Sequence, residues 1–437
     1  MSLRTNLVCA AQLTLMKTEF PLPSARVFVI PSLVILFVTT SLAESTRQFI
    51  LLNRSLGPAS GRFEPTARGD FEQVKRALPD VPGAGIRIGV GYIFSYFRAP
   101  SEEVLLSSLR RVLELAEETD TPVLIQIDGE NWWDARPDLW NWWDESLPGY
   151  DPANRENVEW SGWSTDQALK IAWRNWGRQL RVRPPPNLMS QRYRKACHEK
   201  MALLIPVVLD WWKALPAEKK ELFVGLKVGW ESSIGVNAWY YPNGNELLNR
   251  PASDDPTTGL KSSEVPARGV ATIGYAAVKT AGIRDSGELT EADSAEVVQR
   301  HLDDLCREAS RLGVPREKLF THVAGWKEGE LLYQTAVNPF SCPGWSFYQH
   351  AADPRKDIGV QAALKRSDAS WWAATEWLHQ GPKEVKAWRQ ALENTLADHR
   401  CRYVCIFNWE GIRENAPALE AIRQTIAASA EQGRSKR

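Results

Sequence analysis

The chain has 437 residues, 43% of them hydrophobic, and its 53 basic and 53 acidic side chains cancel to a formal charge of zero. That is enough apolar material for one large core, so a single barrel of roughly 250 to 400 residues is as natural as two domains. No basic stripe stands out, which excludes nucleic acid from the expected partners.

The first feature in chain order reads as a secretory signal. Arg4, Lys17 and Arg26 precede the apolar run Val27 to Val38, and Ser41 and Ala43 offer small residues at −3 and −1. Cleavage is expected before Glu44. The run is too short for a comfortable span; Met16 is an alternative start, and an uncleaved anchor is the competing reading. No second apolar run of spanning length follows, so no stable membrane insertion is expected after cleavage, and the folded part is expected outside the cytoplasm, secreted or periplasmic. Residues 44–85, with Pro58, Pro65, Pro79 and Pro82, read as a polar, irregular lead-in.

From residue 86 onward strands and helices alternate. Ile86 to Phe94 is a strong strand, and Ser101 to Glu118 is a helix with Leu105, Leu109, Val112, Leu113 and Ala116 on one face. Pro122 to Ile127 is the second strand, running into Asp128-Gly-Glu-Asn-Trp-Trp-Asp134. Strand, helix, strand with short joints is a βαβ unit of a parallel sheet. Residues 131–157 lack any period, and long structureless insertions of this kind are usually functional. Val158 to Trp163 reads as a short third strand, Thr165 to Trp176 and Ser190 to Ala214 as helices. Leu222 to Val228 is a buried fourth strand that delivers Trp230-Glu231 and an aromatic, amide-rich loop. Val270 to Tyr275 is a weak fifth strand. Thr290 with Asp293 resembles a capping box opening a helix with Val298, Leu302, Leu305, Ala309 and Leu312 on its face. Lys318 to Ala324, Ser370 to Thr375 and Arg402 to Phe407 are strands six to eight, with residues 325–368 mostly loop and helices at 383–398 and 416–428. Eight strands in βα order predict an α/β fold, one (β/α)8 TIM barrel over residues 86–437 with long substrate-binding loops.

Twenty tryptophans are abnormal, and thirteen of them fall between Trp132 and Trp239. Flat indoles beside amides suit a ligand with apolar faces and hydroxyl edges, which describes a sugar. Five cysteines remain after the signal. Cys401 and Cys405 lie in or beside the strand-like run Arg402 to Phe407, roughly 13 Å apart if extended, beyond the roughly 7 Å a disulfide spans. Nothing has zinc-site spacing, so neither metal nor other cofactor is expected.

Three strand ends carry Glu beside Trp: Trp230-Glu231, Glu376-Trp377 and Trp409-Glu410. Carboxylates at the C-terminal ends of barrel strands are where such folds place their chemistry, and hydrolysis of a glycosidic bond needs two of them. The arrangement resembles the large clan of retaining glycoside hydrolases built on TIM barrels, and residues 230–241 loosely resemble β-galactosidase-like and β-amylase-like barrels. The resemblance covers roughly residues 86–428. It implies that Glu231, ending strand four, is the acid/base and that Glu376, ending strand seven, is the nucleophile. Many members have Asn before the acid/base, where this chain has Trp230.

Around that pair, Asp128, Glu130, Asn131, Trp132, Trp133, Trp142, Trp230, Asn237, Tyr241, His322, Trp377, Asn408, Trp409 and Glu410 are the candidate substrate-binding residues. The expected partner is a carbohydrate. Two alternatives remain open at the sequence level: a non-catalytic carbohydrate-binding barrel, and an inverting hydrolase pairing Glu231 with Glu410 or Asp128.

Overall fold

The structure is a computed structural model describing residues 47–55, 58, 63–132, 135–175, 179–234, 238–254, 269–325, 329–348 and 351–435. The expected signal at 1–43 lies outside the described residues. Among those described, no helix is long and apolar enough to cross a membrane.

The strands in chain order are β1 (Gln48–Arg54), β2 (Ile86–Ser95), β3 (Val123–Asp128), β4 (Ala172–Asn175), β5 (Gln179–Val182), β6 (Phe223–Ser232), β7 (Ala238–Trp239), β8 (Leu319–Val323), β9 (Gly344–Phe347), β10 (Trp372–Trp377) and β11 (Cys401–Ile406). All but β4, β5 and β7 close a barrel in the order β1-β11-β10-β9-β8-β6-β3-β2, every pair parallel. The (β/α)8 fold class is as expected, but two of its strands are not those the sequence suggests. Residues 44–85 are no lead-in: Gln48–Arg54 is the first barrel strand, paired to β2 along its whole length, so the barrel domain begins well before residue 86. Val158 to Trp163 and Val270 to Tyr275 are not barrel strands. They make only isolated bridges, Val158 with Pro186, Trp160 with Ala168 and Tyr240 with Ala271. The true sixth strand is the four-residue β9, inside what reads as loop. The expected helix at Thr165 to Trp176 is, over the described residues 165–175, a 3-10 turn followed by β4, which joins β5 and β7 in a small antiparallel sheet.

The lumen changes character from bottom to top. Phe49, Leu51, Leu124, Val224, Phe320, Ala373, Tyr403 and Cys405 fill its lower part as one apolar cluster. Ile50, Leu52, Ile125 and Val404, one residue out of phase, face the surrounding helices, as the two-residue strand period requires. Higher up, inward positions become polar: Gln126 stands opposite Lys227, and Ser346 opposite Glu376. Polar groups buried in a barrel are expensive unless they serve one another, and here they gather at the C-terminal ends of the strands.

The helices follow their sequence signals closely. Ser101 Oγ accepts from Val104 N at 3.1 Å, and Thr290 and Asp293 form the expected capping box. The helices Gln191–Ala214 and Glu291–Arg311 are joined by Asp304, which pairs with Arg194 and lies 2.8 Å from His198 Nε2. Cys197, Cys306, Cys342, Cys401 and Cys405 are all buried free thiols. Cys401 and Cys405 share β11 and do not pair, as the strand geometry demands.

Candidate active site

By barrel order β6 is the fourth strand and β10 the seventh. Glu231 and Glu376 therefore end strands four and seven, although the sequence count reached those ordinals by losing β1 and β9 and inserting two false strands. The two side chains meet at one mouth of the barrel, 5% and 4% exposed. One oxygen of each, with a ring nitrogen of His322, lie within 4.8 Å of one another.

The pair is held asymmetrically. The Tyr348 hydroxyl, just past β9, donates to Glu376 Oε1 and also lies within hydrogen-bond reach of Glu231. Lys227, on β6 and 1% exposed, donates to Thr375 O at 2.9 Å. Burial raises the Glu376 carboxyl, and the Lys227 ammonium and the Tyr348 hydrogen bond act against that rise. Glu231 is pushed up to about 8, by burial first and the Glu376 charge second, with the Ser346 hydroxyl, Arg174 and Tyr348 opposing. The Lys227 ammonium beside Glu376 thus favours the proton's residence on Glu231.

His322 is wholly buried. Gln126 Nε2 donates to Gly229 O at 2.9 Å and to His322 Nδ1 at 3.3 Å. The ring proton is therefore on Nε2, which donates to Ser346 Oγ at 3.0 Å. Burial first, and Lys227 second, hold this histidine well below its usual range, so it stays neutral. The chain Gln126–His322–Ser346 thus reaches Glu231 through fixed donors. Glu231 Oε1 and Glu376 Oε2 accept no hydrogen bond from the described residues, so each glutamate keeps one oxygen free for chemistry.

Glu231, His322 and Glu376 form the one cluster with metal-ligand potential among the described residues. It suits a cation poorly, because the His322 Nε2 proton is committed to Ser346 and Lys227 already supplies positive charge there.

Several expected binding residues have other duties. Trp132 is 1% exposed and Trp377 wholly buried; their rings pack on Tyr193 and Trp388 and cannot stack on a sugar. Tyr241 packs on Trp173, and Trp409 is buried with its Nε1 3.4 Å from Gln73 Oε1. Asp128 accepts from Ser95 Oγ and from the Glu130 and Asn131 amides, which shapes the turn after β3. Its carboxyl is pushed up to about 7 by burial and Glu130. Asn131 is buried with its amide 3.4 Å from Ser95 Oγ. Glu410 pairs with Arg54 Nε at 2.7 Å and takes both Ser55 donors, tying the end of β11 to the end of β1 rather than facing Glu231. Asn408 caps the helix Trp409–Ile412.

Trp142 and Trp143 are half-buried against each other, with Arg155 4.7 Å over the Trp142 ring. Trp230 is half-buried beside the pair, and Arg174 from β4 covers its ring at 4.8 Å. Trp133 and Asn237 lie outside the described residues. The tryptophans in and just after the insertion hold irregular backbone. The indole N–H groups of Trp132, Trp140, Trp142 and Trp160 bond carbonyls at Pro184, Ala135, Leu169 and Arg155, which satisfies chain that no ladder serves. Sequence reasoning missed Lys227, Ser346 and Tyr348. A lysine inside the apolar run Leu222 to Val228 was the available signal for the first.

No protein-family model and no curated protein matches the sequence. Solved structures similar to the chain include a GH5-4 broad-specificity endoglucanase from an uncultured bacterium (8% identity, covering 87% of this chain and 95% of that one, TM-score 0.45). A GH5 xyloglucan-specific β-1,4-glucanase from a ruminal metagenomic library gives 9% identity, 88% and 96% coverage and a TM-score of 0.42. The GH26 endo-β-1,4-mannanase catalytic domain of Bacillus sp. JAMB-750 gives 11% identity, 88% and 87% coverage and a TM-score of 0.39. These neighbours are all glycoside hydrolases.

Proposed function

We propose that this chain is a retaining glycoside hydrolase acting on an oligo- or polysaccharide, with Glu231 as acid/base and Glu376 as nucleophile. The observation that carries the reading is the pair itself: one oxygen of each carboxyl within 4.8 Å at the C-terminal mouth of a parallel barrel. Retaining enzymes hold their carboxyl groups about 5–5.5 Å apart, whereas inverting ones leave about 6.5–9.5 Å for a water. A closest approach within 4.8 Å suits the retaining spacing and direct attack by Glu376.

The surroundings sort the roles. Glu376, with the Lys227 charge and the Tyr348 donor beside it, is the group kept ionised and able to attack the anomeric carbon. Glu231, raised by burial, carries the proton for the leaving oxygen and later takes one from the water that releases the sugar. Glu410 and Asp128, the alternative partners, are bound up at Arg54 and in the turn after β3, which speaks against the inverting reading. A purely binding barrel has no need of two carboxyl groups buried together, since that is costly.

Hydrolysis of a panel of plant and microbial glycans, with Glu376→Gln and Glu231→Gln controls, tests the reading. Glu376→Gln should abolish turnover. Glu231→Gln should impair substrates with poor leaving groups far more than activated aryl glycosides. Product NMR should show retained configuration, and exhaustive chelation should leave activity intact. Inversion, or full activity in Glu376→Gln, would sink the assignment. We further propose export by the signal at residues 1–43, supported by the run Val27 to Val38 and the small residues Ser41 and Ala43. N-terminal sequencing of the exported protein should begin at Glu44; an intact, membrane-held N-terminus would favour the anchor.

A further inference from the structure

Glu231 does not sit on a regular strand end. β6 pairs with β8 at Val228–Thr321 and next at Ser232–Val323, so four steps along β6 run against two along β8. The extra chain bulges into the mouth. Within the bulge Gly229 has φ +84° and Glu231 φ +48°. A residue with a side chain keeps a left-handed backbone only where its surroundings impose it.

The imposing group is Glu130, which follows β3 and is 7% exposed. Its Oε1 accepts from Trp230 N at 3.3 Å and from Ser232 Oγ at 2.5 Å, the residues on either side of Glu231. The same oxygen lies 3.3 Å from Nε2 of His301, 1% exposed on the helix Glu291–Arg311. Gln126 secures the next residue back through Gly229 O. The fit leaves no slack: a Cβ at Gly229 would meet Ser232 Oγ at 2.5 Å. Side chains from β3, the turn beyond it and a helix therefore replace the ladder bonds that the bulge forfeits.

We propose that Glu130, seated by His301, is a positioning residue that fixes the backbone of Glu231 and so aims its carboxyl as the proton donor. The role rests on the reading of Glu231 as acid/base. It predicts that loss of Glu130 mimics loss of the acid, not loss of the fold. Three donors converge on one oxygen, which a carboxylate accommodates and a primary amide, one of whose two polar atoms is a donor, does poorly.

The experiment compares full-length wild type, Glu130→Gln, His301→Gln, Glu231→Gln and the double variant Glu130→Gln/Glu231→Gln. Each is assayed on an unactivated glycan and on a dinitrophenyl glycoside, with thermal melting alongside. In Glu130→Gln, kcat on the glycan should fall about 100-fold, the scale of an ångström-level misplacement. On the dinitrophenyl glycoside, kcat/KM should stay near wild type, because the first step needs no acid there and only the later water step calls on Glu231. His301→Gln should show a weaker form of the same split. Glu130→Gln/Glu231→Gln should be no slower on the glycan than Glu231→Gln alone, as expected for groups acting as a unit. Equal losses on both substrates accompanied by a lower Tm, or wild-type rates throughout, overturn the proposal.

A crystal structure of Glu130→Gln decides the matter without activity. Glu231 leaving its left-handed φ supports the clamp, and an unchanged Glu231 refutes it. If wild type cleaves no glycan, the hydrolase reading has failed, and the structural comparison alone still judges whether Glu130 sets the bulge.

Discussion

Lys227 is the residue that tells the two glutamates apart. Both are buried, and burial alone would raise both; the ammonium opposes the rise at Glu376. With Glu231 raised to about 8, the fraction able to donate a proton shrinks above that pH. A kcat/KM profile should therefore fall on the alkaline side of about pH 8, by about tenfold per unit, and on the acid side as Glu376 takes up a proton. Lys227→Met removes the charge that holds Glu376 down, so the acid limb should move to higher pH. An acid limb that stays where it was would mean that Tyr348 alone keeps Glu376 ionised. The tyrosine is separable: Tyr348→Phe takes a donor from Glu376 and should slow turnover while leaving the melting temperature near wild type.

At the scale of elements, Asp304 ties two helices of the outer ring together. Burial pushes its carboxyl up, but the His198 and Arg194 contacts outweigh that and hold it well below the usual carboxylate range. Both partners are about a third exposed, so Asp304→Asn should cost about 1–2 kcal/mol rather than the 3–5 kcal/mol of a sealed pair. Because the folded carboxyl is the more acidic, this contribution is present above the unfolded value of about 3.9 and drains away as pH falls below it. Urea melts at pH 7 and pH 3 should show the wild type losing its advantage over Asp304→Asn at the lower pH. Equal gaps at both would contradict the linkage.

The elements also show what the chain does and does not declare. Long amphipathic helices with caps, such as Glu102–Glu118 and Glu291–Arg311, are legible because one face is buried and the period says so. β9 is not, because four residues carry too little period. β1 is masked by the prolines that follow it, although Phe49 to Leu52 is an unbroken apolar run. Val158 to Trp163 has strand-like composition but makes only isolated bridges, with Pro186 and Ala168, so composition misleads there. The glutamate pair was legible because each follows a strand and adjoins a tryptophan. Lys227, Tyr348, Ser346 and the Glu130 clamp were not, since what defines them is convergence across strands.

For the molecule as a whole, β1 is the closing stave. It pairs with β2 on one side and β11 on the other, and Arg54 and Ser55 hold Glu410 beyond the far end. A chain starting at residue 86 should therefore expose two open parallel edges and the apolar lumen beneath them. Expression of residues 86–437 should yield aggregated or molten material, judged by near-UV circular dichroism and ANS binding, whereas residues 45–437 should fold. A folded, cooperative 86–437 fragment would show that seven strands suffice.

That stave also sets a schedule for the ribosome. The Gln48 side chain bonds Cys401 O across 353 residues of chain, so the first strand made is sealed only by the last. At about 5–20 residues per second, β1 spends roughly 18–70 s with one edge unpaired before β11 emerges. Throughout that interval the Phe49–Leu52 run is a site for holding chaperones. Substitutions that slow translation late in the message should lower the yield of folded protein without altering the stability of the molecules that complete it.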